Sequence, residues 1–357
     1  ASGDLGDDAD EGWAIIPQLQ LGVDWPVSPY LEINTGIAMS YEYYPNSDID
    51  DQFSISGTNG GFAAHADADI FLGQNGKLTI SDSFSRNVDS LSLAARDVPQ
   101  DYALNTNTLR ALYAVDWTEY TNFKAQLAHT NTWTDDEDFE YQDHRNEAFD
   151  FVILHNLNRS LQLGPYARIA TTVYSEDQHN DTRSLEGGLA VVYQRSAGFV
   201  LDGHIGLQDF SVDTDNNPAA TDEKTGLTGE LNASLATSDS MSHHVYLAYI
   251  RTQGTRGERV APLEPDVNFS EEIHVGYNVI VQLMKNINVF GTADFIDISE
   301  SDNGEEAQLY RLRTGTGYAL TAATDLSFSY QYEMKNSDQV ESDYHRNTVE
   351  VTLTHDF

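Results

Sequence analysis

The chain has 357 residues, and 57 acidic against 19 basic side chains leave a formal charge of −38. That balance excludes a nucleic-acid or anionic-lipid binder acting through bulk charge, which needs a basic surface. Cysteine is absent, which removes disulfides, zinc–thiolate sites and thiol nucleophiles, and no run approaches the roughly 18 consecutive apolar residues of a membrane-spanning helix.

Nine prolines are scattered with no Pro-, Ser- or Gly-rich linker between blocks, so one continuous architecture is expected: an acidic segment over 1–12 and a single unit over 13–357. From Trp13 onward the dominant period is two, the mark of strands. After a first candidate strand, Trp13 to Trp25, the stretch Pro29 to Tyr43 sets Leu31, Ile33, Ile37, Met39 and Tyr41 on one face. Glu32, Asn34, Gly36, Ala38 and Ser40 fall on the other. Lys77 to Arg86 is patterned more weakly. The split returns in Leu161 to Ser175, where Leu163, Ala167, Ile169 and Val173 oppose Gln162, Arg168 and Thr172, and again in Ile287 to Asp297. About 17 segments satisfy the alternation rule.

Connections alternate as well. Short turns fall at Gln74-Asn75-Gly76, Thr118 to Asn122, Asn156 to Ser160, Arg195 to Gly198, Ala236 to Met241 and Lys285-Asn286. Between them lie longer, mostly acidic stretches: Asn46 to Gly60, Arg86 to Thr106, Thr134 to Arg145, Glu176 to Arg183, Asp213 to Glu223, Thr252 to Asn268 and Ser299 to Glu306. Hairpins with short turns at one end and long connections at the other describe an antiparallel up-and-down sheet, which closes to remove its edges. Strands near the ~9 to 11 residues that cross a bilayer predict a transmembrane β-barrel. With so many strands the interior is too wide for side chains to fill, so the polar face lines water. A soluble acidic β-protein is the structural rival. Aromatics at predicted strand ends, Trp13, Trp25, Tyr30, Tyr43, Trp117, Tyr120, Trp133, Tyr193, Tyr310, Tyr318 and Tyr344, fit interfacial girdles.

The final strand, Thr348 to Phe357, alternates and stops on an aromatic. It resembles the last strand of Gram-negative outer-membrane β-barrel proteins of porin-like type. That resemblance implies a bacterial outer-membrane location, membrane lipid and the barrel-assembly machinery as partners, and an assembly signal at Val349, Val351, Leu353 and Phe357. His355 departs from the family's usual aromatic or apolar residue there. By analogy with porin-like barrels a homotrimer is implied. A second, looser resemblance, to β-barrel porins found with exopolysaccharide gene clusters, rests on Leu78 to Arg86 followed by Asp89. Ala1 is not preceded by a signal segment, so the sequence looks mature. Because barrels of this kind have even strand numbers, 16 strands are expected, with 18 as the alternative and the false candidate near the N-terminus or at Lys77 to Arg86.

The polar face supplies the expected pore lining: Glu32, Asp67, Asp69, Arg110, Asp116, Arg168, Glu230, Asp294, Arg311 and Arg313, acting as an electrostatic filter. His65, Asp67 and Asp69 share a face at spacing i, i+2, i+4 and have the donor types for a divalent ion, although pore lining is the favoured reading. His243 and His244 point to opposite faces and cannot jointly chelate. Asp213 to Asn217 starts like a calcium loop, but Pro218 stands where Gly is needed and Lys224 where the bidentate Glu belongs. Calcium bridging Asp48, Asp50 and Asp51, or Asp135 to Asp138, is the one cofactor the acidic connections suggest. No nucleophile–base motif appears, and no enzyme activity is expected. The expected function is passive passage of polar solutes, with a preference for cations or neutral molecules. The alternatives are exopolysaccharide export and a non-conducting scaffold or adhesin that binds a partner through its loops.

Overall fold

The computed structural model describes residues 18–40, 61–87, 104–134, 140, 143–175, 181–196, 198–213, 223–253, 269–300, 306–321, 323–338 and 343–355. Within them lie 17 β-strands: β1 Gln18–Ser28, β2 Leu31–Ser40, β3 Gly61–Leu72, β4 Gly76–Asn87, β5 Leu104–Thr118, β6 Thr121–Thr134, β7 His144–Asn156, β8 Leu161–Tyr174, β9 Thr182–Ser196, β10 Phe199–Val212, β11 Glu223–Ser238, β12 Met241–Gln253, β13 Phe269–Met284, β14 Ile287–Glu300, β15 Glu306–Thr321, β16 Thr324–Ser337 and β17 Tyr344–His355. Each pairs antiparallel with the next in sequence, from β1–β2 to β16–β17.

The expected count of 16 is corrected to 17 among the described residues. The doubted segment is a full strand. In β4, Leu78, Ile80 and Phe84 alternate with Lys77, Thr79, Ser81 and Ser83. The irregularity is Asp82 on the apolar side, which accepts a 2.9 Å hydrogen bond from Asn107 Nδ2 on β5, so a cross-strand amide covers the misplaced carboxylate. Closure is corrected too. No ladder joins β1 to β17 among the described residues, and both edge strands are exposed.

Short connections join every odd strand to the next even one, and the long connections occupy the opposite end. The short turns share a device. Tyr30, Tyr120, Gly198, Ser240 and Ala323 each donate their backbone N–H to the hydroxyl two residues earlier, on Ser28, Thr118, Ser196, Ser238 and Thr321, at 3.1–3.3 Å. A Ser or Thr hydroxyl in that position mimics a backbone turn acceptor. Asn158 does the same through its side-chain oxygen, accepting from Ser160 and Leu161. Where a longer turn closes β3–β4, Gly73 supplies the positive φ of 76° that a side chain resists. Turn residues also bond onward to the next hairpin, as in Asp116 N–H to Asn75 O and Asn156 N–H to Tyr120 O, so the ladder runs unbroken along this rim.

The two faces differ as the alternation demands. Leu19, Leu21, Val23, Ile205, Leu207, Leu227, Leu247, Val275, Leu312 and Val351 are exposed on one face. Ile169 and Leu353 are exposed and Leu31 and Val289 half-buried, so none lies in a dry interior. Buried side chains gather instead on the polar face, where Glu186, Gln208, Thr228, Ser329 and Glu333 are accompanied by Leu154, Phe210 and Leu309. This is the inverse of a soluble sheet protein. Trp25, Tyr30, Trp117, Tyr120 and Tyr318 are exposed near the short turns. Near the long connections Trp133 meets Phe84, which meets Phe62, each at 5.9 Å. Trp13 and Tyr43 lie outside the described residues.

Candidate functional site: two cross-strand rows of charge

Strand register turns scattered polar residues into continuous rows. The first runs across ten strands through directly paired positions: Glu32, Asp69, Thr79, Leu112, Gln126, Asp150, Arg168, Glu186, Gln208 and Gly226. A second links Asp202, Asn232, Tyr246, Gly276, Asp294, Arg311, Glu333 and Arg346. Opposite charges directly across a ladder attract and like charges repel, and within both rows most cations sit beside carboxylates.

In the first row, Lys77 Nζ stands 2.8 Å from Asp69, which also accepts from Thr79 Oγ1 at 2.6 Å. Arg168 Nε lies 3.3 Å from Asp150, with Glu186 on its other side. The carboxylate of Glu186 accepts from Tyr166 Oη at 2.6 Å and has His204 Nε2 at 3.5 Å. The Tyr166 and His204 rings meet edge to face at 4.6 Å. Tyr166 can lean this way because Gly188 and Gly206 lie opposite it in successive strands. A Cβ at Gly206 would stand 2.5 Å from Tyr166 Oη. Gly206→Val is therefore expected to displace the ring, break its bond to Glu186 and cost about 1–3 kcal/mol as overpacking. An unchanged urea midpoint in lipid vesicles would contradict this packing.

In the second row, Asp294 pairs with Arg311, whose Nε donates to Glu333 Oε2 at 2.9 Å. Arg346 Nη2 approaches Glu333 Oε1 at 3.5 Å. One step toward the short turns, Arg313 bonds Ser329 Oγ and Glu350 Oε2, at 3.1 and 2.7 Å from Nη2, and its guanidinium lies 5.6 Å from the Phe290 ring.

All ten expected lining residues lie within described strands. Glu32 and Asp69 are paired neighbours; Asp67 and Arg110 both pair with Ser81; Asp294 and Arg311 face each other. Glu230 pairs with His204 and accepts from Asn232 at 3.0 Å. Asp116 sits apart, near the short-turn rim opposite Asn122. The partners Asp150, Glu186, Glu333, Arg346 and Glu350 were not singled out from sequence. Their signal was indirect: cations on polar faces of a strongly acidic chain require nearby carboxylates.

His65, Asp67 and Asp69 share their face, but His65 Nε2 is engaged 2.8 Å from Asn34 Oδ1 and Asp69 by Lys77. No group of three metal-ligating side chains forms among the described residues. His243 and His244 do point apart, the first 2.8 Å from Tyr277 Oη and the second 3.1 Å from Ser234 Oγ. The acidic stretches around Asp48 and Asp135, the segment 1–12, Asp89 and Phe357 lie outside the described residues. Val349, Val351 and Leu353 form one exposed line on β17.

No family model and no curated protein matches the sequence. Solved structures do match. The FrpB iron transporter from Neisseria meningitidis (F3-3 variant) superposes with a TM-score of 0.56 at 9% identity, over 98% of this chain and 68% of that one. The copper transporter OprC gives 0.56 at 9%, over 97% and 65%. The ferric-catecholate import receptor Fiu from E. coli K12, open form, gives 0.51 at 8%, over 96% and 73%. The chain spans 62–68% of the length of the FrpB structures it matches. At these identities the likeness is one of fold: an antiparallel up-and-down sheet of the outer-membrane β-barrel class. The location that goes with this fold and this aliphatic outer surface is the bacterial outer membrane.

Proposed function

We propose that the chain is the wall of an outer-membrane channel through which polar solutes pass passively, with cations and neutral molecules favoured over anions. On this reading the short turns face the periplasm and the long acidic connections face outward. The observation that carries it is the pair of charge rows on the polar face, opposite an exposed aliphatic face. Alternating charges held across a wall give a hydrated, polarised surface, while net negative charge draws cations toward the mouth. FrpB and OprC are transporters and Fiu is an import receptor, which supports transport in general.

The test is single-channel recording in planar bilayers. A cation-over-anion preference is expected, weakening as salt screens the mouth. Arg168→Gln and Arg311→Gln should each raise the cation preference by removing a fixed positive charge. Electrical silence or anion selectivity would overturn the proposal.

A further inference from the structure

Toward the long connections, the aliphatic face of β6–β9 turns polar within one step of the ladder. Leu127, Phe149, Ile169 and Leu185 stand side by side there and are all exposed. The next row on the same face, two residues nearer the long connections, is His129, Glu147, Thr171 and Arg183. The row after that carries Phe84, Asn107, Asn131, Arg145 and Val173, and Arg86, Asn105 and Trp133 follow on β4–β6. Each step is about 7 Å, so aliphatic side chains give way to charged ones over about the depth of a headgroup layer. Arg86 is engaged, its Nη1 donating to Asn105 Oδ1 at 3.3 Å. Arg145 and Arg183 are exposed, and no ion pair or side-chain hydrogen bond engages either guanidinium among the described residues. The carboxylates beside them are turned elsewhere. Asp143 Oδ1 accepts from the Thr134 N–H at 2.8 Å, Asp181 Oδ1 accepts from the Tyr174 N–H at 2.9 Å, and Glu147 Oε1 lies 3.6 Å from His129 Nδ1. A cavity of about 470 Å³ opens where Arg145 stands. Asn131, Trp133 and Val173 line it from the same face as Arg145, and Thr132, His144 and Tyr174 line it from the row behind.

An arginine on a lipid-facing strand is tolerated near the interface and costly deeper, which sets both side chains at headgroup depth. Trp133, at the same level, is the residue type that favours this depth. What the chain leaves unpaired there the lipid can pair, because a headgroup phosphate offers the oxygens that a guanidinium fork matches. We propose that Arg145, in its cavity, and Arg183 each hold the phosphate of an anionic lipid in the leaflet on the long-connection side. Two inter-strand spacings and one ladder step put their Cα atoms about 12 Å apart, too far for one phosphate to serve both. The bulk charge of −38 repels such lipids, so their retention is local to these two side chains. The inference rests on the membrane location and uses the aliphatic face alone, so it is independent of whether the polar face conducts.

The test is native mass spectrometry of the detergent-solubilised chain with phosphatidylglycerol and phosphatidylcholine of the same acyl chains. Phosphatidylglycerol should be retained at two per chain, each about fivefold more tightly than phosphatidylcholine, the value of one basic side chain near an anionic surface. Arg145→Gln and Arg183→Gln should each retain one, and the double variant should lose the preference. Both guanidiniums are exposed and unengaged, so these variants should keep the parent's urea midpoint. Arg145→Lys keeps the charge and should keep its lipid. Lys124→Gln, on the polar face of β6, should change nothing. Equal retention of the two lipids by the parent, a double variant that still prefers phosphatidylglycerol, or a loss in Lys124→Gln equal to that in Arg145→Gln would overturn the proposal. Displacement of the lipid by equimolar inorganic phosphate would overturn it as well, by marking a site for a soluble anion.

Discussion

Replacing Glu333 by alanine is expected to destabilise the fold by about 3 kcal/mol, the lower end of the roughly 3–5 kcal/mol seen when one partner of a buried ion pair is removed. Glu333 is 0% exposed and stands between two guanidiniums, Arg311 at 2.9 Å and Arg346 at 3.5 Å. Its removal leaves these cations on β15 and β17, either side of β16, with no carboxylate between them, and Arg346 Nε already lacks a partner among the described residues. Both arginine side chains are 34% exposed, so solvent screens part of the resulting repulsion, and this selects the lower figure. Glu333→Gln keeps the shape and loses only the charge, so its loss should be smaller with the same sign. Urea unfolding in lipid vesicles reads both. An alanine variant within about 1 kcal/mol of the parent would show that the second row is not held together by this carboxylate.

The second large effect separates a membrane wall from a soluble acidic sheet. Leu231 and Asn232 are neighbours near the middle of β11 and point to opposite faces. If Leu231 faces lipid, Leu231→Arg places a guanidinium near the bilayer midplane at a cost of about 2–4 kcal/mol. Asn232→Arg adds a cation beside Glu230 on the hydrated face and should change stability by less than about 1 kcal/mol. In a soluble protein the order collapses, because exposed Leu→Arg changes are close to neutral. Refolding yield and urea midpoints in vesicles should rank Leu231→Arg far below Asn232→Arg; equal values would remove the membrane assignment.

Much of the architecture was legible because its period is two. Leu163, Ile169 and Val289 stand on one face and Arg168 and Asp294 on the other for the same geometric reason that makes the sequence alternate. β4 was doubted because Asp82 breaks that pattern; the amide that covers it, Asn107, comes from the next strand and has no local signature. The even-number rule pointed to 16 strands, where the described residues hold 17. The lining residues were readable as types in place, but their pairing was not. Arg311 meets Glu333 only once the β15–β16 register is known, and the Gln208–Arg251 contact spans 43 positions. The Ser/Thr turn acceptors repeat near the strand ends at Ser28, Thr118, Ser196, Ser238 and Thr321, and a search for that repeat would have found five of the hairpins directly.

An odd run of strands, each reversing the last, sends β1 and β17 along the same heading, both descending toward the rim of tight turns. Any zipper between those two borders is consequently of the slanted, evenly spaced kind, not the alternating kind found everywhere else in the sheet. One interposed segment with opposite heading would restore alternation to the whole circumference. A second copy laid border to border, β17 against β1, meets the same mismatch, so self-association through these margins cannot repair it. In a hydrocarbon surround, where no water can take up the dangling amides, these two unjoined borders are the weakest part of the wall.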